Sequence, residues 1–187
     1  MKKRIAALII FLTCISSSIV IGQTSYQLDL ENSSLTVKGT STIHDWEMNV
    51  EKFKGQMVLA DEDIHGLMSG SLAVEVNSIK SNHKLMNKKA YEALKEDEFP
   101  QIVVDVIQVS NQSSKGNAKV VITIAGKKRE ITEEFLIIYL ENGGIEIKGE
   151  LHLKMSDFDV DAPVAMMGTI KTGNEVQVAY SFVYKKS

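Results

Sequence analysis

A two-residue hydrophobic period recurring along the chain restricts its fold more than any other feature. In residues 145–155, Ile145, Ile147, Leu151, Leu153 and Met155 alternate with Glu146, Lys148, Glu150, His152 and Lys154. In residues 175–184, Val176, Val178, Tyr180, Phe182 and Tyr184 alternate with Glu175, Gln177, Ala179, Ser181 and Val183. Leu72, Val74 and Val76 repeat the pattern around Ala73 and Glu75. Successive side chains of an extended chain point to opposite faces, so each run is a strand with one buried and one wet face. Residues 102–109, 120–125 and 131–140 are strands by β-branched content, although in places they are apolar on both faces.

Turn signals separate these runs at Gly126-Lys127-Lys128, Asn142-Gly143-Gly144 and Gly173-Asn174. Connections this short make antiparallel hairpins. Gly39 and Gly55 lie inside strand-like sequence, where bulges or bends are expected. The apolar parity shifts from even (Trp46, Met48, Val50) to odd (Phe53, Met57, Leu59), which also places a bulge near Glu51-Lys52. One segment departs from the pattern. Residues 83–96 (HKLMNKKAYEALKE) are helix formers with Met86, Ala90, Ala93 and Leu94 on one stripe, Ser81 or Asn82 as cap, and Phe99-Pro100 restarting a strand. The expectation is an all-β fold: one antiparallel, lipocalin-like β-barrel of about eight strands with one inserted α-helix, closed so that no strand edge is exposed.

The N-terminus reads as a targeting segment. Lys2, Lys3 and Arg4 precede an apolar run at residues 5–12, and Val20-Ile21-Gly22 suits cleavage before Gln23. Residues 1–22 are therefore expected to be a signal peptide and residues 23–187 a single exported domain, periplasmic or secreted, with no integral membrane span. Cys14, the only cysteine, falls in the removed part in a poor context for lipidation, so disulfide and thiol chemistry are excluded. Removing three cations from a chain of net charge −3 leaves an acidic domain with no electrostatic pull toward nucleic acid.

Several segments, in order along the chain, resemble the YceI-like family of exported barrels. They are residues 39–48 (GTSTIHDWEM) followed by Phe53-Lys54-Gly55, residues 94–102 (LKEDEFPQI), residues 122–131 (ITIAGKKREI) and residues 155–160 (MSDFDV). Asp159 stands where the family usually has glycine. The resemblance implies a barrel around an apolar channel, which in some members holds a polyisoprenoid chain. The partner it implies is an apolar small molecule: an isoprenoid quinone, a polyprenol or a fatty chain. A homodimer is left open.

A long apolar ligand needs a lining of large, adaptable side chains. The candidates are Trp46, Met48 and Phe53 early in the chain, Leu72 and Val74 in the next strand, and Leu85, Met86, Tyr91 and Phe99 around the helix. Phe135, Ile147, Phe158, Tyr180 and Phe182 follow, with Met166 and Met167 expected in a loop at the barrel mouth. Each also has a reading as ordinary core packing.

His44-Asp45 with Ser41 invites a catalytic interpretation, but adjacent side chains on a strand point apart. His44 is retained only as a head-group contact at the mouth. The four histidines lack zinc-site spacing. Asp157, Asp159 and Asp161 open like a calcium loop, but Ala162 and Gly168 replace the glycine and glutamate it requires, so this is read as a solvated turn. No metal, cofactor or catalytic residue is expected. The leading function is an exported carrier or store of an apolar chain; the alternatives are a solidly packed barrel that binds another exported protein and, more weakly, an enzyme acting on a lipid.

Overall fold

Alternating strands leave rows of unpaired backbone donors and acceptors at a sheet's edges, and this chain removes them by closing on itself. The computed structural model describes residues 23–60, 64–112 and 114–187. The expected signal segment with Cys14, and the acidic run Asp61-Glu62-Asp63, lie outside the described residues. The early strands are β1 (Thr24–Leu28), β2 (Ser34–Ser41), β3 (Trp46–Val50), β4 (Phe53–Leu59), β5 (Leu67–Glu75) and β6 (Ile79–Lys80). The single helix among the described residues, α1 (Lys84–Ala93), follows β6. Then come β7 (Gln101–Gln112), β8 (Lys115–Ile124), β9 (Lys127–Tyr139), β10 (Ile145–Lys154), β11 (Val164–Ala165) and β12 (Ile170–Lys186).

Antiparallel pairing runs from β1 through β4, β5, β7, β8, β9 and β10 to β12. The ring closes where Leu28 and Tyr26 of β1 pair with Tyr184 and Lys186 of β12. The remaining strands β2, β3 and β6 continue β1, β4 and β5 beyond a kink, and they pair in the same order, β12 with β2, β2 with β3 and β3 with β6. The barrel is thus eight long strands, three of them bent.

The bend between β3 and β4 falls at Glu51-Lys52, where the apolar parity shifts. It is bonded to the neighbouring bend at residues 76–78. The buried Ser78 hydroxyl bridges the Lys52 carbonyl at 3.1 Å and the Glu75 carbonyl at 2.7 Å. Glu51 N–H donates to the Ser78 carbonyl, and Glu75 N–H to that of Lys52. The two bends therefore satisfy each other's backbone, as buried polar groups must be satisfied.

Three local expectations are corrected. Gly55 sits in regular pairing, opposite Leu72, and Gly39 pairs regularly with Trp46 on one side while flanking the register shift to β12 on the other. Their role is to make room. A Cβ at Gly39 would overlap the Trp46 indole, and one at Gly55 would lie 3.0 Å from the Tyr184 hydroxyl. Gly173-Asn174 is no turn but a bulge inside β12, where the register to β2 shifts between Thr172 and Val176. The Asn174 side chain there accepts from Ser156 N–H and donates to the Ser156 hydroxyl, both at 2.9 Å, tying down the neighbouring turn. The helix begins at Lys84 without a side-chain cap from Ser81 or Asn82. Instead Asn87 reaches back, accepting from Ser81 N–H at 2.8 Å and donating to its carbonyl at 3.1 Å.

The inward side chains of β10 and β12 are those of the odd and even registers that the alternation marks. One end of the barrel is closed by Tyr26, Leu59, Ile64 and Ile145, all at most 2% exposed. Met86 and Ala90 of α1, with Leu94 just past its end, pack against the core at the other end. Gly39→Ala should cost about 1–3 kcal/mol in urea unfolding, the usual range for overpacking, because the single tryptophan must leave its seat. The emission of that tryptophan should change with it. Unchanged stability and emission would mean that the indole does not rest on Gly39.

Candidate functional site

Eight strands leave an interior that side chains either fill or share with one small ligand. Here two apolar spaces lie end to end. The inner channel, of about 210 Å³, runs from Ile64 and Met57 up past Tyr184, Phe182 and Phe135. The vestibule, of about 460 Å³, lies between α1 and the segment carrying Pro163, Val164 and Ala165. A ring of six residues, Val37, Ile79, Ile102, Ile124, Leu153 and Val178, belongs to both walls. Exposed Ile43, Leu85 and Val164 stand at the vestibule's mouth.

The wall is completed by a turn. Pairing of β9 with β10 runs from Tyr139↔Ile145 to Phe135↔Gly149. Beyond it, the 3₁₀ turn Met155–Phe158 packs Phe158 against Val120, Ile122 and Ile131, with Phe158 only 2% exposed. Asp159 ends that turn in the left-handed region, at φ 54°, the conformation a glycine adopts readily. Its carboxylate pairs with Lys127 at 2.7 Å, which holds it below the usual carboxylate range. The aspartate therefore keeps the turn that a glycine would make and adds a surface tie to β9.

Of the residues singled out from the sequence, Leu72, Val74, Phe135, Ile147, Tyr180 and Phe182 face the inner channel. Trp46, Met48, Leu85, Met86 and Phe158 face the vestibule, with His44 also on its wall. Five lie elsewhere. Phe53 is buried behind Phe182, with ring centroids 5.6 Å apart. Tyr91 follows Ala90 by about 100° around the helix and so leaves the inward stripe; its hydroxyl donates to the Asn77 carbonyl at 2.9 Å. Phe99 lies over Gly126, where a Cβ would come within 2.6 Å of its ring. Met166 and Met167 adopt left-handed φ of 50° and 56°, a tight turn that sends both side chains into solvent.

His44 and Asp45 lie in the turn between β2 and β3 rather than on a strand. The Ser41 hydroxyl donates to the His44 carbonyl at 2.7 Å and accepts from the Ile43 and His44 N–H groups at 3.3 Å. His44 Nδ1 lies 2.7 Å from the Asp45 carbonyl, so that nitrogen carries a proton. These groups hold the turn together.

Glu133 is a site residue that was not among those singled out from the sequence. It occupies the inward register of β9, between Ile131 and Phe135, and is the only carboxylate on the inner channel wall among the described residues. Its Oε1 is shielded from solvent and makes no hydrogen bond. Burial raises the Glu133 carboxyl above its ordinary 4.5, although the adjacent Tyr180 hydroxyl offsets part of the shift. The Tyr180 hydroxyl is itself pushed up, by burial first and then by Glu133. The signal was present in the sequence. Ile131, Phe135, Ile137 and Tyr139 share one parity, and Glu133 is the charged member of that row.

Residues 26–184 match the family model described as YceI-like domain. Among solved structures, BcnA of Burkholderia cenocepacia is similar at 20% identity, over 83% of this chain and 98% of its own, with a TM-score of 0.71. A polyisoprenoid binding domain from Saccharophagus degradans, implicated in plant cell wall breakdown, is similar at 14% identity over 87% of this chain and 98% of its own, TM-score 0.68. The YCEI protein of Campylobacter jejuni is similar at 14% identity over 75% and 84%, TM-score 0.61. At these identities the structures share the fold. No curated protein matches the chain.

A carboxyl with a raised folded-state pKa penalises the folded protein as pH rises, because the unfolded chain gives up its proton first. The penalty is absent below the ordinary value of 4.5 and grows above it until the folded carboxyl ionises. Asp29, Glu92, Glu146 and Asp159 have lowered values and act in the opposite sense at lower pH. Glu133→Gln should therefore flatten the fall in stability above that pH relative to the unaltered protein. Denaturant midpoints measured across pH check this; identical slopes in the two proteins would mean that Glu133 is not perturbed.

Proposed function

The chain belongs to the YceI-like domain family, and on that premise we propose that it is an exported carrier or store that holds one apolar chain, polyisoprenoid or fatty, inside its barrel. One observation carries this reading: the vestibule and inner channel abut, sharing the ring of six apolar residues from Val37 to Val178 as a common wall. An elongated ligand can thus lie from the mouth to the closed end along apolar wall. The polyisoprenoid binding of the Saccharophagus degradans domain, whose fold this chain shares, supports the ligand class. Residues 1–22, with their basic start and apolar run, support export.

The energetics allow binding without any charged contact. Burying about twenty carbons at ~0.8 kcal/mol per methylene is worth on the order of 16 kcal/mol. Ordering the chain takes back about half or more of that, which still leaves micromolar affinity. The packed-barrel alternative asks for a filled interior, and a vestibule of about 460 Å³ lies within the ordinary range of ligand sites. The enzymatic alternative has lost its best residues, since Ser41 and His44 are engaged in their own turn.

Mass spectrometry of an organic extract, from protein purified out of its own host, should show one class of long apolar molecule in near-stoichiometric amount. Phe182→Ala supplies the energetic counterpart. In a solid core this truncation costs about 3–5 kcal/mol. In a channel the delipidated protein should lose clearly less, and the loaded protein should in addition lose ligand-linked stabilisation. Equal losses in both forms, with no lipid in the extract, would sink the carrier reading.

A further inference from the structure

A channel that binds only hydrocarbon has no use for a carboxyl group. Placing one there costs free energy unless something pairs with it. Glu133 is nevertheless in the inner wall; the neighbouring Tyr180 hydroxyl stabilises its carboxylate, yet the shielded Oε1 is left without a hydrogen bond of good geometry. Its surroundings make room for a partner. Gly149, which pairs with Tyr180 across β10 and β12, leaves bare backbone at this level. A Cβ at that position would overlap the Tyr180 hydroxyl and lie 2.9 Å from Glu133 Oε1. The glycine thus brings both polar groups to one niche. Across β8, Glu133 faces the small Ala118. The Tyr180 ring is held by stacking on Phe182, with centroids 4.8 Å apart and planes 21° from parallel. On β12, Tyr180 is the next inward residue below Val178 of the ring, so the niche lies just past the constriction.

We propose that Glu133, Tyr180 and the bare backbone of Gly149 form a polar subsite inside the channel that receives the hydroxyl group of an apolar alcohol. This rests on the carrier reading and narrows it to a ligand that threads the ring with its hydroxyl end foremost. A carboxyl oxygen accepts in either protonation state, and a hydroxyl is the smallest group that can donate to it. A pure hydrocarbon leaves Oε1 unpaired. A carboxylate or phosphate brings a charge into a low-dielectric wall whose described residues include no cation.

The test uses delipidated full-length mature protein and two probes of equal chain length, radiolabelled hexadecanol and hexadecane, delivered from cyclodextrin. The quantity read is the ratio of the two affinities, compared between the unaltered protein and its variants. In Glu133→Leu the preference for the alcohol should fall about tenfold, the value of one buried hydrogen bond, while hexadecane binding is kept or improved. Glu133→Gln, which still donates and accepts, should retain most of the preference and guards against a folding defect in the leucine variant. An unchanged ratio in Glu133→Leu would overturn the subsite and leave the carrier intact. Failure of the unaltered protein to bind either probe would overturn the carrier reading and the subsite with it.

Discussion

The hydrogen bonds of β12 with two strands at once hold the architecture together. The far end of β12 pairs with β1 through Tyr184 and Lys186, and its nearer part pairs with β2 from Ser181 back to Thr172. β12 therefore seals the barrel against β1 and β2 along nearly its whole length. The kink between β1 and β2 is bonded into the same seam. Val183 N–H donates to the Ser33 hydroxyl at 2.9 Å, and Asp29 pairs with Lys185 at 2.5 Å. A single ion pair open to solvent on its lysine side contributes little by itself; the ladder and the inward side chains carry the closure. Once closed, the barrel has an inside of fixed width, and what fills it becomes the functional question.

Several glycines decide how much of that inside stays open. Gly39 receives Trp46, Gly55 receives Tyr184, Gly116 receives Phe135 and Gly149 receives Tyr180. In each case the bare backbone lets an aromatic group lie close along the wall instead of across the lumen. Trp46, Phe135, Tyr180 and Tyr184 thereby stay close to the backbone of the wall they line. The lumen is left lined mainly by branched aliphatic groups, whose surface suits a hydrocarbon partner by burial alone. The same device at Gly149 admits the polar pair of Glu133 and Tyr180 without widening the barrel.

Much of this was legible in the sequence where one face is wet. The parity of β10 and β12, the shift at Glu51-Lys52 and the inward stripe of Met86, Ala90 and Leu94 follow from alternation and helical period alone. Legibility failed where both faces are apolar. In β9 the outward Leu136 and Ile138 are 45% and 40% exposed, so the inner parity of Ile131, Phe135 and Ile137 is blurred and Glu133 does not stand out within it. It failed again where glycine has two meanings. Gly173 reads as a turn by composition, but pairing on both sides of the bulge keeps it inside β12. Met166 and Met167 read as lining by type, but a tight left-handed turn points them outward, and that depends on backbone conformation rather than side-chain chemistry.

The central claim is that the barrel encloses one continuous path for a chain-like molecule. A crystal structure of the protein purified from its own host tests it most directly. The account predicts unbroken elongated density from the vestibule beside Met86, through the ring at Val178, to the niche between Glu133 and Gly149. An inner channel closed by collapsed side chains, or holding only separate waters, would contradict it.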